Sequence, residues 1–267
     1  MSTAHESAPE TASGASAFAR VVAGVDGSES GYDAARVASR LVAPDGSLTL
    51  FTAVYLADAS LTGAVAPRAL EELEQEARVT AERAQAIAPH GELRLVNGPP
   101  LPAFKQELAE RAATLAVIGS LGKSRLSELL LGGFAVGLLR EAPCSVCIAR
   151  PLADEAAFPR AVVAGCDGSD HSDAAVAAAR SVAERFDVPL RLVTALGGKD
   201  VDRERAAALG GVEEDGDPVS ALVEAAADAD LLVVGSRGLH GFKALGSVSE
   251  RVAYEAACSV LVVRTTP

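Results

Sequence analysis

The stretch Val21-Val-Ala-Gly-Val-Asp-Gly-Ser28 returns as Val162-Val-Ala-Gly-Cys-Asp-Gly-Ser169. Each is a short β-branched, apolar run broken by Asp-Gly-Ser, the pattern of a buried strand that ends in a turn. Two further blocks return in the same order. Ile118-Gly-Ser-Leu-Gly122 is matched by Val234-Gly-Ser-Arg-Gly238, and Glu141-Ala-Pro-Cys-Ser-Val by Glu255-Ala-Ala-Cys-Ser-Val. Three ordered repeats describe a duplicated domain. Val162 lies 141 positions beyond Val21, Gly235 lies 116 beyond Gly119, and Glu255 lies 114 beyond Glu141. The second copy is therefore 25 residues shorter in its middle and two shorter in its last loop.

Between the repeated blocks, apolar runs alternate with helical periodicity. The first copy reads as strand Arg20–Val25, a helix to about Val42 with Ser30 and Asp33 as a capping box, and strand Ser47–Val54. Helix Ala69–Ala88, strand Glu92–Val96, helix Leu101–Ala112 and strand Leu115–Ile118 follow. A helix through Leu138 and Leu139 and strand Cys144–Ala149 complete it. The second copy reads as strand Ala161–Cys166, helix Ser172–Phe186 and strand Leu190–Ala195. A short helix around Asp202–Leu209 and an apolar-poor strand near Gly211–Glu214 come next. A helix marked by Val219 and Leu222 and strand Asp230–Val234 then lead to the closing run. Strands alternating with helices predict an α/β fold, doubly wound, with parallel sheets covered on both faces. The second sheet is expected to have a weak edge at its third strand. Residues 1–18 are rich in Ala, Ser, Thr, Glu and Pro and read as a disordered tail rather than a signal peptide. The first domain spans 19–150, Pro151–Pro159 reads as a linker, and the shortened second domain spans 160–267.

A chain of 267 residues that is 49% hydrophobic can fill two cores, with few aromatics to do it. A net charge of −12 opposes binding to a nucleic-acid backbone. It leaves room for one small nucleotide held by backbone N–H groups. No apolar run reaches the length of a membrane span, and a soluble, cytoplasmic protein is expected. The four cysteines read as buried thiols. Cys144 and Cys147 form a C-x-x-C inside a strand, where such positions face opposite sides, so redox or zinc chemistry is not expected there.

The chemistry-bearing segments are loops. In the first copy Gly119-Ser-Leu-Gly122 is followed after nine residues by Gly132-Gly133, and in the second Gly235-Ser-Arg-Gly238 is followed after seven by Gly246-Ser247. Glycine lets the backbone approach a ligand closely, and helix-opening N–H groups carry partial positive charge, so together they suit a phosphate. Lys123 and Arg125 in one loop, and Arg237, His240 and Lys243 in the other, add cations. Asp26 and Asp167 end the first strands, near the switch point of a doubly wound sheet. Each could close an Asx turn or touch a base or ribose. Ser28 and Ser169 read as helix caps rather than nucleophiles. Neither a Walker loop nor G-x-G-x-x-G is present, and no acid–base pair or metal-ligand cluster recurs. The residues do not require catalysis.

At these positions the chain resembles the universal stress protein family, as a tandem member, over about residues 19–150 and 160–264. The resemblance rests on the Val-Asp-Gly-Ser start, the glycine loop, the Gly246-Ser-Val-Ser-Glu-Arg-Val252 segment and the closing Ala-Pro-Cys-Ser-Val strand. It implies five-stranded parallel sheets in strand order 3-2-1-4-5. It also implies that Cys144–Ala149 and Ser259–Val263 pair antiparallel, giving an internal pseudo-dimer. Many members of this type bind ATP or another adenine nucleotide, so the resemblance implies ATP, AMP or cyclic AMP as ligand, with Mg²⁺ alongside. Carried over, Asp26 and Ala53 would meet adenine and ribose in the first copy, and Gly119, Gly122, Gly132, Gly133 and Phe134 the phosphates. In the second copy the roles fall to Asp167 and Ala195, then to Gly235, Gly238, Gly246, Ser247 and Val248. Gly133 stands where the family has Ser or Thr. The second loop is two residues short, so the first copy is expected to be the better site.

The expected function is that of a nucleotide-binding regulatory protein of the stress response, non-catalytic or at most a slow ATPase. The rival is a degenerate scaffold that binds no nucleotide and acts through protein contacts. Homodimerisation and the identity of a protein partner stay open; neither nucleic acid nor membrane is expected as a partner.

Overall fold

A computed structural model describes residues 18–55, 65–120, 131–152, 154, 157–198, 200–236 and 247–265. The first half runs β1 (Arg20–Gly24), α1 (Glu29–Leu41), β2 (Ser47–Val54), α2 (Val65–Ile87), β3 (Glu92–Asn97), α3 (Pro100–Glu110), β4 (Leu115–Gly119), α4 (Gly133–Glu141) and β5 (Ser145–Ala149). The second half runs β6 (Val162–Gly165), α5 (Asp170–Phe186), β7 (Leu190–Ala195), α6 (Arg203–Ala208), β8 (Val212–Glu214), α7 (Pro218–Ala225), β9 (Leu231–Gly235), α8 (Ser247–Glu255) and β10 (Ser259–Val263).

The strands lie in the order β3-β2-β1-β4-β5-β10-β9-β6-β7-β8. Each half is parallel and follows 3-2-1-4-5. The antiparallel pairing of the fifth strands that the resemblance implies is present, and it joins the two parallel sheets into one ten-stranded mixed sheet. β5 and β10 pair antiparallel, with Val146 opposite Val262, Cys147 opposite Leu261 and Ile148 opposite Val260. The physical reason is that both strands are buried along their whole length, and each covers the other's backbone edge.

Alternation along the strands divides the core between two faces. One face gathers Val21, Ala23, Cys147 and Leu261 with α1 and α5. The other gathers Val22, Val146, Ile148 and Val260 with α3, α4, α7 and α8. Both clusters run through both halves. Cys144 and Cys147 sit on opposite faces, and all four cysteines are free thiols. Burial pushes the thiols of Cys144 and Cys258 up to about 11.

Element ends follow capping chemistry. α1 starts two residues earlier than the Ser30–Asp33 reading, because Ser28 is its cap and accepts from Gly31 N at 3.0 Å. Ser169 does the same for α5, accepting from Ser172 N at 3.2 Å. The shortened middle of the second half leaves the six-residue α6 where the first half has the 23-residue α2. The weak edge is also present, since β8 has three residues and its Val212 is 54% exposed. Phe18, assigned above to the tail, is instead buried beside Val42. In the linker segment, Phe158 is buried in the same cluster and accepts from Arg40 Nε at 3.0 Å.

The halves also hold each other's helices. The guanidinium of Arg150, just past β5, donates to the carbonyls of Ala253 and Tyr254 at the end of α8, at 3.0 and 3.2 Å. Arg264, just past β10, donates to Leu139 O at the end of α4, at 2.5 Å. Their backbone N–H groups donate to Ser259 Oγ and Ser145 Oγ respectively, both at 3.1 Å. Arg140 of α4 and Glu250 of α8 add an ion pair at 2.9 Å.

Candidate functional site

The carboxyl ends of the parallel strands form a rim in each half, at opposite edges of the sheet because β5 and β10 run antiparallel, and the first-strand loops shape both rims in the same way. Asp26 Oδ1 accepts from Ser28 N at 3.0 Å and from Ser28 Oγ at 2.6 Å. Asp167 Oδ1 accepts from Ser169 N at 3.0 Å and Ser169 Oγ at 2.6 Å. Each serine hydroxyl thus donates to the aspartate while accepting from the first turn of the next helix. The turn needs a left-handed residue, supplied by Gly27 at φ 85° and Gly168 at φ 77°. Both aspartates therefore close an Asx turn, and both serines are caps.

The glycines that end β4 and β9 have a packing task. A Cβ on Gly119 would sit 2.2 Å from Ser30 Oγ and 2.4 Å from Ser30 O. A Cβ on Gly235 would sit 2.4 Å from His171 O. These positions let the first turn of α1 or α5 lie against the strand end. At α4, Gly132 is the cap residue and offers no side chain, while its own N–H donates to Ser120 O at 3.2 Å. Gly133 faces open space, with nothing within 4 Å of a Cβ there. The next N–H groups of α4 therefore open on the rim with no side-chain cap. Ala53 lies on β2, opposite Val96. Phe134 is tilted against Phe104, with ring centroids 5.6 Å apart, and Phe104 meets Phe51 edge-on at 5.1 Å.

In the second half the rim holds a cavity of about 330 Å³. It lies at the switch point, where β6 is flanked by β7 on one side and β9 on the other. Asp167, Ala195, Gly235 and Val248 all line it. Four of the residues expected from sequence are thus brought to one place. Ser247 opens α8, and Val248 and Ser249 of its first turn reach the cavity. Gly122, Gly238 and Gly246, with the loop cations Lys123, Arg125, Arg237, His240 and Lys243, lie outside the described residues.

Sequence reasoning missed several lining residues, notably Val193, Leu222, Val234 and Asp217. The first three read as ordinary core by periodicity. Asp217 caps α7, accepting from Ser220 N at 3.2 Å, and that bond holds its carboxyl below the usual aspartate range. Cys166 also lines the cavity, and burial raises its thiol, so it is a neutral wall there. The mouth thus carries the aspartates 167 and 217, which would keep a phosphate away from themselves. The α8 first turn is the complementary wall. Among the described residues no group of three or more His, Cys, Asp or Glu side chains is placed to hold a metal, and no helix is long and apolar enough to cross a membrane.

Known proteins share this arrangement. The family model described as "Universal stress protein family" matches residues 17–150 and 196–264. The universal stress protein Rv2623 of Mycobacterium tuberculosis is 32% identical over 183 residues, covering 57% of this chain and 62% of that protein. The chain thus spans less than two thirds of that relative's length. Rv2005c of the same organism is 32% identical over 203 residues, covering 64% of this chain and 68% of the relative. The crystal structure of a universal stress protein from Archaeoglobus fulgidus superposes with a TM-score of 0.68 at 20% identity, covering 92% of this chain and 96% of that one. That likeness speaks to the fold. With the repeated loops and the sheet order already described, these matches mean that the chain belongs to the universal stress protein family, as a tandem member carrying two domains.

Proposed function

We propose that this chain is a regulatory protein of the stress response that binds an adenine nucleotide and does little or no chemistry on it. One observation carries the reading: the cavity at the switch point, lined by Asp167, Ala195, Gly235 and Val248. Its volume falls at the low end of the ~300–1,000 Å³ common for ligand pockets. That suits a base and ribose, with the phosphates leaving along the first turn of α8. The donor set fits the group. Asp167 can accept from a ribose hydroxyl or an exocyclic amine. Ala195 is small enough to let a ring lie on β7. The opening N–H groups of α8 favour anionic oxygens. Mg²⁺ would be held mainly by phosphate oxygens and water. Binding would bias a surface that a partner reads.

Isothermal titration of nucleotide-free protein with ATP, AMP and cyclic AMP, with Mg²⁺ present, tests this. Binding of ATP in the micromolar range, lost when Gly122→Val and Gly238→Val are combined, is the expected result. The absence of heat from folded protein would refute it. A second reading, a scaffold without ligand, draws on the packing of Gly119 and Gly235 against helix backbone, which accounts for both glycines without a phosphate. Unaltered partner capture by the doubly substituted protein would favour that reading.

A further inference from the structure

The halves can be compared position by position because the same backbone contacts recur. Gly24 pairs with Phe51 in β1–β2, and Gly165 pairs with Val193 in β6–β7. A Cβ on Gly24 would touch Phe104 and Ile118, and one on Gly165 would touch Leu222 and Val234. The second residue of α4 is Phe134, and that of α8 is Val248. At each of these four places the second half carries the smaller or less bulky side chain. All four of its residues line the cavity. In the first half three of the four are phenylalanines whose rings pack on one another, with Phe51 and Phe104 at most 3% exposed.

We infer that these four paired positions decide which half takes a ligand: the second half has a hollow floor that admits a planar heteroaromatic ring, and the first half is filled by its own rings. This rests on the nucleotide reading and reverses the preference that loop spacing suggests. The argument is steric. The first half closes its crevice with protein rings that make their own dispersion contacts. The second half removes those rings without moving the backbone frame and leaves an apolar-walled space that gains contacts when filled. A purine is flat, apolar on its faces and polar at its edge. It matches a slot walled by Val193 and Leu222 with Asp167 at the mouth.

The test uses adenosine and ATP as separate probes, titrated into the full chain. Adenosine should bind at one site per chain. Val248→Phe and Leu222→Phe, which restore the first half's residues, should each weaken it about tenfold or more, equivalent to ~1.4 kcal/mol. The thermal midpoint of each variant should equal or exceed that of the wild type, because the new ring fills space. Binding of adenosine with no gain for ATP supports the hollow and removes the nucleotide reading. Binding of both probes that survives Val248→Phe and Leu222→Phe, or that is lost on Ala53→Phe, overturns the inference and leaves the nucleotide reading intact. A folded wild type that binds neither probe overturns both.

Discussion

Replacing Arg150 with alanine should loosen a helix in the other half of the chain. The side chain is 6% exposed, and its guanidinium reaches Ala253 O and Tyr254 O at 3.0 and 3.2 Å. One nitrogen serves both carbonyls, so the two contacts count as less than two full bonds. A hydrogen bond to a charged donor contributes about 1.5–3 kcal/mol, and a cation at a helix C-terminus adds ~0.3–1 kcal/mol, up to ~2 when partly buried. Against this stands the cost of burying the charge, which pushes the arginine's pKa down. A net loss of about 2–4 kcal/mol is expected for Arg150→Ala. Arg150→Met keeps the apolar stem and avoids the buried charge, so it should lose about 1–2 kcal/mol. Urea unfolding gives the total, and amide exchange locates it. Exchange should rise in residues 248–255 of α8 and stay unchanged in α4. Arg264→Ala should show the mirror image, in α4. A stability within ~0.5 kcal/mol of wild type, or faster exchange in α4 on losing Arg150, would refute the crossed-capping argument.

Other consequences are equally direct. Gly119→Ala and Gly235→Ala place a Cβ 2.2–2.4 Å from atoms of Ser30 and His171, and each should cost about 1–3 kcal/mol in urea unfolding; normal stability with lost nucleotide binding would contradict the packing role. Asp230 takes hydrogen bonds from Arg160 N, Nε and Nη2 at 2.7–2.9 Å, which hold its carboxyl below its ordinary value of 3.8. A carboxyl lowered in the folded state stabilises above the unfolded value and loses that contribution as pH falls through the folded one. The acid limb of the stability curve below about pH 4 should therefore flatten in Asp230→Asn, and an unchanged limb would dissociate the pair from acid stability. The thiols of buried Cys144 and half-buried Cys258, raised to about 11 by desolvation, should resist alkylation at pH 8 until the protein unfolds; mass spectrometry showing rapid native labelling at Cys144 would argue against this packing.

Local chemistry made much of the fold legible. Ser47–Val54 and Leu190–Ala195 are runs whose ends are set by turn residues, and they appear with the bounds read from sequence. Two cap readings stood side by side for this helix, Ser28 and the Ser30–Asp33 box, and the bond from Gly31 N selects Ser28. The union of the sheets came from the family resemblance, since no local signal says which buried strand meets which. Arg150 looked like the end of a strand because its partners lie 103 and 104 residues away. The hollow in the second half was written in the sequence as Phe51 against Val193 and Phe134 against Val248. It could be read only once the register showed that these side chains share one space.

The β5–β10 seam also bears on how the halves could diverge. Two separate domains meeting through that edge would have to find each other by concentration, and each would need a surface compatible with every other copy. Joined through residues 151–159, they meet at a high effective concentration however weak the seam becomes. Covalent linkage fixes a one-to-one ratio, so one half can give up its internal rings without producing a population of mismatched pairs. The edges left outward are β3, with Glu92 and Arg94, and the three-residue β8 with Glu213 and Glu214. Both edges are charged and β8 is short, which discourages further strand addition.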